Sequence, residues 1–96
     1  MDSTRQMKDV TPDSVRKFLL TRYSGPMTAM QLDLADIPDD FDFLLSGVID
    51  SFGILEMISA IEDEFRIRLD LALLDAEDIT RIGPLARYVA ESATER

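Results

Sequence analysis

The sequence predicts an all-α fold, a small four-helix bundle of three main helices and one short one, with a long first loop. Three observations carry that prediction. Apolar residues recur at helical spacing in separate segments, capping and breaking residues bracket those segments, and strand-like alternation is weak throughout. "FRIRLDL" at 65–71 is the best strand candidate, and it is short. A chain of 96 residues suffices for one compact domain with a modest core.

The first helix is "TPDSVRKFLLTRY". Thr11 is placed to cap it, Pro12 fits the first helical position, and Asp13 suits the positive helix end. Val15, Phe18 and Leu19 fall on one face, with Arg22 or Tyr23 completing the spacing. "SGP" at 24–26 is expected to stop the helix. The connection from Ser24 to Asp50 is long for a small domain, and it carries Leu32, Leu34, Ile37, Phe41, Phe43, Leu44 and Leu45. It is therefore expected to pack over the helices, with a short helical turn near Gln31 to Asp36. The second helix starts at Asp50 or Ser51 and runs to about Phe65. On a wheel, Ile54, Met57, Ile58, Ile61 and Phe65 form a core stripe, and Phe52, Glu56, Ser59 and Asp63 occupy the opposite face. "DLALLDAEDITRI" reads as a short helix or turn offering Leu71, Leu74 and Ile79 to the core. "IGPLARYVAES" is the last helix, started by Gly83 and Pro84, with Leu85, Tyr88 and Val89 facing inward. The domain is expected over residues 11–92, between a flexible N-terminal tail at 1–10 and a C-terminal tail at 93–96.

The formal net charge of -9 disfavours nucleic acid and anionic membranes as partners and suits basic patches on other proteins. The lack of cysteine excludes disulfides, thiolate zinc sites and a cysteine nucleophile. "MDSTRQMKDV" has no apolar core segment, so no signal peptide is read there, and no apolar run approaches spanning length. A cytoplasmic monomer is expected. The chain also lacks histidine, the usual general base and the commonest nitrogen ligand for metals. No Ser-His-Asp triad can be built, and neither an enzyme nor a metal site is expected.

These exclusions sharpen the question raised by "GVIDSFGILEMISAIEDEF", residues 47–65, in which Ser51 stands where the loop becomes a helix. As a nucleophile it fails: an elbow wants Gly on both sides at two residues' distance, and position 49 is Ile. The acids of "DIPDDFDF" match no calcium loop. As a helix cap, Ser51 or Asp50 would serve, and the chain would then be an unmodified acidic helical adaptor that binds basic partners. That reading leaves two features unexplained: Phe52 on the solvent side, and an acidic run (Asp50, Glu56, Glu62, Asp63, Glu64) with no base between 50 and 64. As an attachment point, Ser51 explains more. A phosphodiester there would meet the free amides and positive dipole of the helix end. Phe52 and the outward acids Glu56 and Asp63, with Ser59 between them, would form a face for partners.

The same stretch resembles the attachment motif of the acyl carrier proteins and the related peptidyl and aminoacyl carriers. Asp50, Ser51 and Phe52 match their Asp-Ser-Leu triplet, and "EDEF" at 62–65 matches the end of the following helix. The likeness extends from Thr11 to about Ser92, including helix order and the long first loop. It implies an acyl-carrier-like bundle that is not itself an enzyme. Ser51 would carry 4'-phosphopantetheine, added from coenzyme A by a magnesium-dependent phosphopantetheinyl transferase. The arm's thiol would hold an acyl or aminoacyl group as a thioester. An activating ligase would load it, and a downstream synthase or transferase would use it. Phe52 departs from the usual Leu or Met, and the first loop is longer than in fatty-acid carriers. Gly53 is similar to the stand-alone alanyl carriers. These features imply a discrete, specialised carrier.

Overall fold

The computed structural model describes residues 10–94; the expected tail at 1–10 lies almost wholly outside the described residues. Three main helices are present: α1 (Pro12–Arg22), α3 (Ser51–Phe65) and α5 (Ile82–Thr94). Two short ones accompany them, α2 (Ser24–Ala29) and α4 (Ala76–Thr80), with single 3-10 turns at Leu34–Asp36 and Leu71–Leu73. The all-α architecture is as the sequence predicts, and among the described residues no strand forms. The last helix continues to Thr94.

The start of α1 follows from its sequence. The Thr11 hydroxyl accepts the Ser14 amide at 3.0 Å, and the Ser14 hydroxyl in turn accepts the Thr11 amide at 2.9 Å. Two free donors are thereby satisfied reciprocally, and Pro12, having none, opens the helix. Val15 and Leu19 are fully buried, and α1 lies along α5, which presents Leu85, Ala86, Val89 and Ala90 to the core.

The residues 24–26 do not end helical structure. Tyr23 closes α1, and Ser24 then opens α2. Pro26 stands in the first turn of α2, where its missing N–H costs no intrahelical bond. The rest of the connection packs over the bundle as expected at Met27, Ile37 and Phe43, all buried. Leu44 and Leu45 depart from that expectation: Leu45 is 83% exposed. The helical turn expected near Gln31–Asp36 is the 3-10 turn at Leu34–Asp36, whose Asp33 cap accepts the Ala35 amide.

Helix α3 buries the stripe read from the wheel: Ile54, Met57, Ile58, Ile61 and Phe65. Phe65 meets Phe18 edge to face, with centroids 5.6 Å apart. Arg66 ends α3 in the left-handed region, at φ 58°, and its amide bonds to the Glu62 carbonyl. The chain then runs extended, with Ile67 and Leu69 buried alternately. Its amides use α3 in place of a partner strand: Ile67 N–H donates to the Glu62 carbonyl and Leu69 N–H to the Glu62 carboxylate, at 3.2 and 2.8 Å. Glu62 is thus structural, unlike the solvent-facing Asp63 beside it. Leu71, Leu74 and Ile79 are half-buried against the core, and Tyr88 clips the segment by exchanging hydrogen bonds with the backbone of Asp70.

Because the Phe65 ring closes the lower end of the core against Phe18, Phe65→Ala is expected to lower the unfolding free energy by about 3–5 kcal/mol. Urea denaturation followed by circular dichroism measures this; a loss under about 1 kcal/mol would contradict the packing described.

Candidate functional site

The site begins with the turn that leads into α3. Phe43 is fully buried; its amide donates to the Thr80 carbonyl at 2.9 Å, and its carbonyl accepts the Ile49 amide at 3.1 Å. Asp42 folds the next residues into a turn. Its Oδ1 accepts the Leu44 and Leu45 amides, both at 2.9 Å, and its Oδ2 accepts the Thr80 hydroxyl at 2.9 Å. Burial pushes the Asp42 carboxyl up, but the Leu45 amide, the Thr80 hydroxyl, the Leu44 amide and the Arg81 charge together outweigh it. The group lies below its ordinary value. Gly47 then adopts φ 87°, a conformation that only glycine takes readily, and Val48 and Ile49 fold back under the helix start.

Helix α3 is capped by Asp50. Its backbone is extended, and its Oδ1 accepts the Gly53 amide at 2.8 Å. Ser51 is therefore the first helical residue and not the cap, so the reading of Ser51 as only a cap does not hold. Its side chain is exposed, and the amides of Ser51 and Phe52 have no hydrogen-bond acceptor among the described residues. Gly53 matters for a reason the sequence did not disclose. A β-carbon there would stand 3.0 Å from Ile49 Cβ and 3.4 Å from the Asp50 carboxylate. Glycine thus lets the cap close over the first turn.

The other anticipated residues lie down the outer face of α3. Phe52 is 74% exposed, and Glu56, Ser59 and Asp63 are exposed as well. The structure brings these four together with Leu55, Ala60, Glu64 and, from α1, Phe18 and Arg22, along one open groove. Leu55, 58% exposed, and Arg22 were not anticipated. The first escaped because it lies between the two faces of the wheel, the second because the facing helix is not legible from α3 alone.

The arrangement fits a phosphodiester-linked group on Ser51. The hydroxyl is accessible, it stands on the capped first turn of a fifteen-residue helix, and the two unused amides beside it offer donors to an anion. Among the described residues no cluster of side chains suits a metal ion, and no helix is long and apolar enough to cross a membrane.

The family model for the phosphopantetheine attachment site matches residues 28–89, which include the whole of α3 and most of α5. The chain belongs to that family of carrier proteins, which bear a 4'-phosphopantetheine prosthetic group and are not themselves catalytic. Membership implies dealings with a phosphopantetheinyl transferase and with biosynthetic enzymes. No curated protein and no solved structure matches the chain.

The turn at Asp42 makes the platform sensitive to acid. A carboxyl whose folded pKa lies below its unfolded one contributes stability that is complete above the unfolded value of about 3.9, and it is lost as pH falls through the folded value. Urea midpoints measured from neutral pH downward should therefore fall in strong acid. Asp42→Asn should be less stable than the wild type at neutral pH and show a shallower acid decline; an unchanged acid limb would mean that other carboxylates control it.

Proposed function

We propose that Ser51 carries the 4'-phosphopantetheine arm and that the protein presents an acyl or aminoacyl group, held as a thioester on the arm's thiol, to enzymes that load and consume it. The observation that supports this reading most is the division of labour at the start of α3. Asp50 takes the capping role, which leaves the neighbouring Ser51 hydroxyl exposed and uncommitted within the segment that matches the family. The chain has no cysteine, so the arm would supply its only thiol. A transferase needs such a hydroxyl on an ordered backbone, and the Asp50 cap, closed over Gly53, gives the first turn of α3 a hydrogen-bonded start.

Partner recognition belongs, in this reading, to the outer face of α3. Phe52 supplies an exposed aromatic anchor beside the modified serine, and the carboxylates of Glu56 and Asp63 face solvent with Ser59 between them. Such a surface suits a basic patch on a transferase, on an acyl- or aminoacyl-activating ligase and on a downstream synthase, in turn.

Two outcomes test this. Ser51→Ala should abolish addition of the arm when the protein is incubated with coenzyme A and a broad-specificity phosphopantetheinyl transferase, as read by intact mass. Because the cap is Asp50, the same change should alter stability by no more than about 0.5 kcal/mol. An arm still added to the variant, at Ser46 or Ser59, would overturn the assignment. Phe52→Ala and the pair Glu56→Lys, Asp63→Lys should leave helicity and Tm near wild type while lowering kcat/KM of the transferase. The charge effect should shrink at high salt. Unchanged kinetics in both folded variants would move the docking face elsewhere.

A further inference from the structure

The groove beside Ser51 has a geometry of its own. It starts at Phe52, one residue past the serine, and follows Leu55, Glu56, Ser59, Ala60, Asp63 and Glu64 down one face of α3, with Phe18 and Arg22 of α1 as the opposite wall. That stripe extends about 18 Å at 1.5 Å per residue, and the groove holds about 670 Å³. On the other side of α3 the bundle is closed, with Met57, Ile61, Leu19 and Val89 fully buried. The groove's upper end is apolar at Phe52 and Leu55. Among the described residues that line it, the exposed carboxylates of Glu56 and Asp63 outnumber the single guanidinium of Arg22.

We propose that the loaded arm lies along this groove and that the groove favours a cargo bearing a free ammonium, an aminoacyl group, over a purely aliphatic acyl chain. The proposal rests on attachment at Ser51. A group tethered at one end of a groove is present there at high effective concentration, so contacts too weak for free binding are populated. Phe52 and Leu55 take the apolar part of the arm, and the carboxylates of Glu56 and Asp63 attract the ammonium. Arg22 limits the negative field without cancelling it. An aliphatic chain gains contact only at the upper end and leaves the charged walls below unpaired with any group it carries. A partner that docks on the same face displaces the arm from the groove and receives its cargo.

The test compares alanyl and propionyl cargo, which share a carbon skeleton and differ in the ammonium. Each is installed as a stable amide analogue of the arm by the transferase on isotope-labelled protein. Peptide mass analysis first reads whether Ser51 bears the arm; an unmodified Ser51 overturns the attachment reading, and this proposal with it. With the arm in place, alanyl loading should shift the backbone amides of Arg22, Leu55, Ser59 and Asp63. Those shifts should be weaker with propionyl. They should be lost at high salt and in the Glu56→Gln, Asp63→Asn double variant, whose helicity serves as the folding control. Shifts confined to the neighbours of Ser51 with both cargoes would overturn the groove. Equal shifts for both cargoes, unchanged in the double variant, would overturn the charge preference.

Discussion

The burial of Phe43 is the constraint on which the site depends. The connection between α2 and α3 is long and must nonetheless deliver α3 to one place. Phe43 is fully buried, with its ring 5.5 Å from Tyr23 at the end of α1 and 5.3 Å from Phe41. Its amide is held by the Thr80 carbonyl, and the Phe41 carbonyl accepts the Ile82 amide. Phe43 therefore ties the loop to the end of α1 and to α4, and Phe41 ties it to the start of α5. A second anchor lies upstream: Asp39 pairs with Arg87 at 2.8 Å and approaches Arg16 at 4.0 Å, while its carbonyl accepts the Gly83 amide. The exposed ion pairs contribute little by themselves; the buried ring and the backbone bonds carry the positioning. From Phe43 onward only a short turn remains before Asp50, and Asp42 and Gly47 set its course.

Helix α3 then divides its surface three ways. Its inner stripe stabilises the bundle, its outer stripe remains free, and its first turn is completed by a carboxylate from the residue before it. The separation lets one residue change without the others. The capping bond between Asp50 and Gly53 satisfies a helix donor that Ser51 would otherwise have satisfied, and that leaves the Ser51 hydroxyl uncommitted. Glu62 shows the same economy inside the acidic run, since it serves the backbone of Leu69 while its neighbour Asp63 faces solvent.

Much of this was legible in the sequence, for identifiable reasons. Helix α1 announced itself through Thr11 and Pro12, and α3 through an unbroken apolar stripe from Ile54 to Phe65, because caps and periodicity are local signals. Ser51, Asp50 and Phe52 stood out because the chain offers no histidine or cysteine for any rival chemistry. Helix α2 was missed because Ser-Gly-Pro reads as a breaker, although proline in a first turn is tolerated. The exposure of Leu45 was missed because an apolar loop residue gives no sign of whether a neighbour covers it. The alternation in "FRIRLDL" made it the best strand candidate, yet no strand forms there; Ile67 and Leu69 are buried, and the Glu62 carboxylate replaces the partner strand, which is tertiary information. The roles of Asp42, Gly53 and Arg22 likewise depend on Thr80, Ile49 and α3, which only the fold brings beside them.

The central claim is that Ser51, relieved of capping by Asp50, is where the arm is joined. The most direct measurement is tandem mass spectrometry of the proteolysed protein after reaction with coenzyme A and a phosphopantetheinyl transferase. The account predicts one arm per chain, on the peptide containing Asp50, Ser51 and Phe52, with fragment ions that assign it to the Ser51 oxygen. An arm on any other serine, or none with several transferases acting on folded protein, would contradict it.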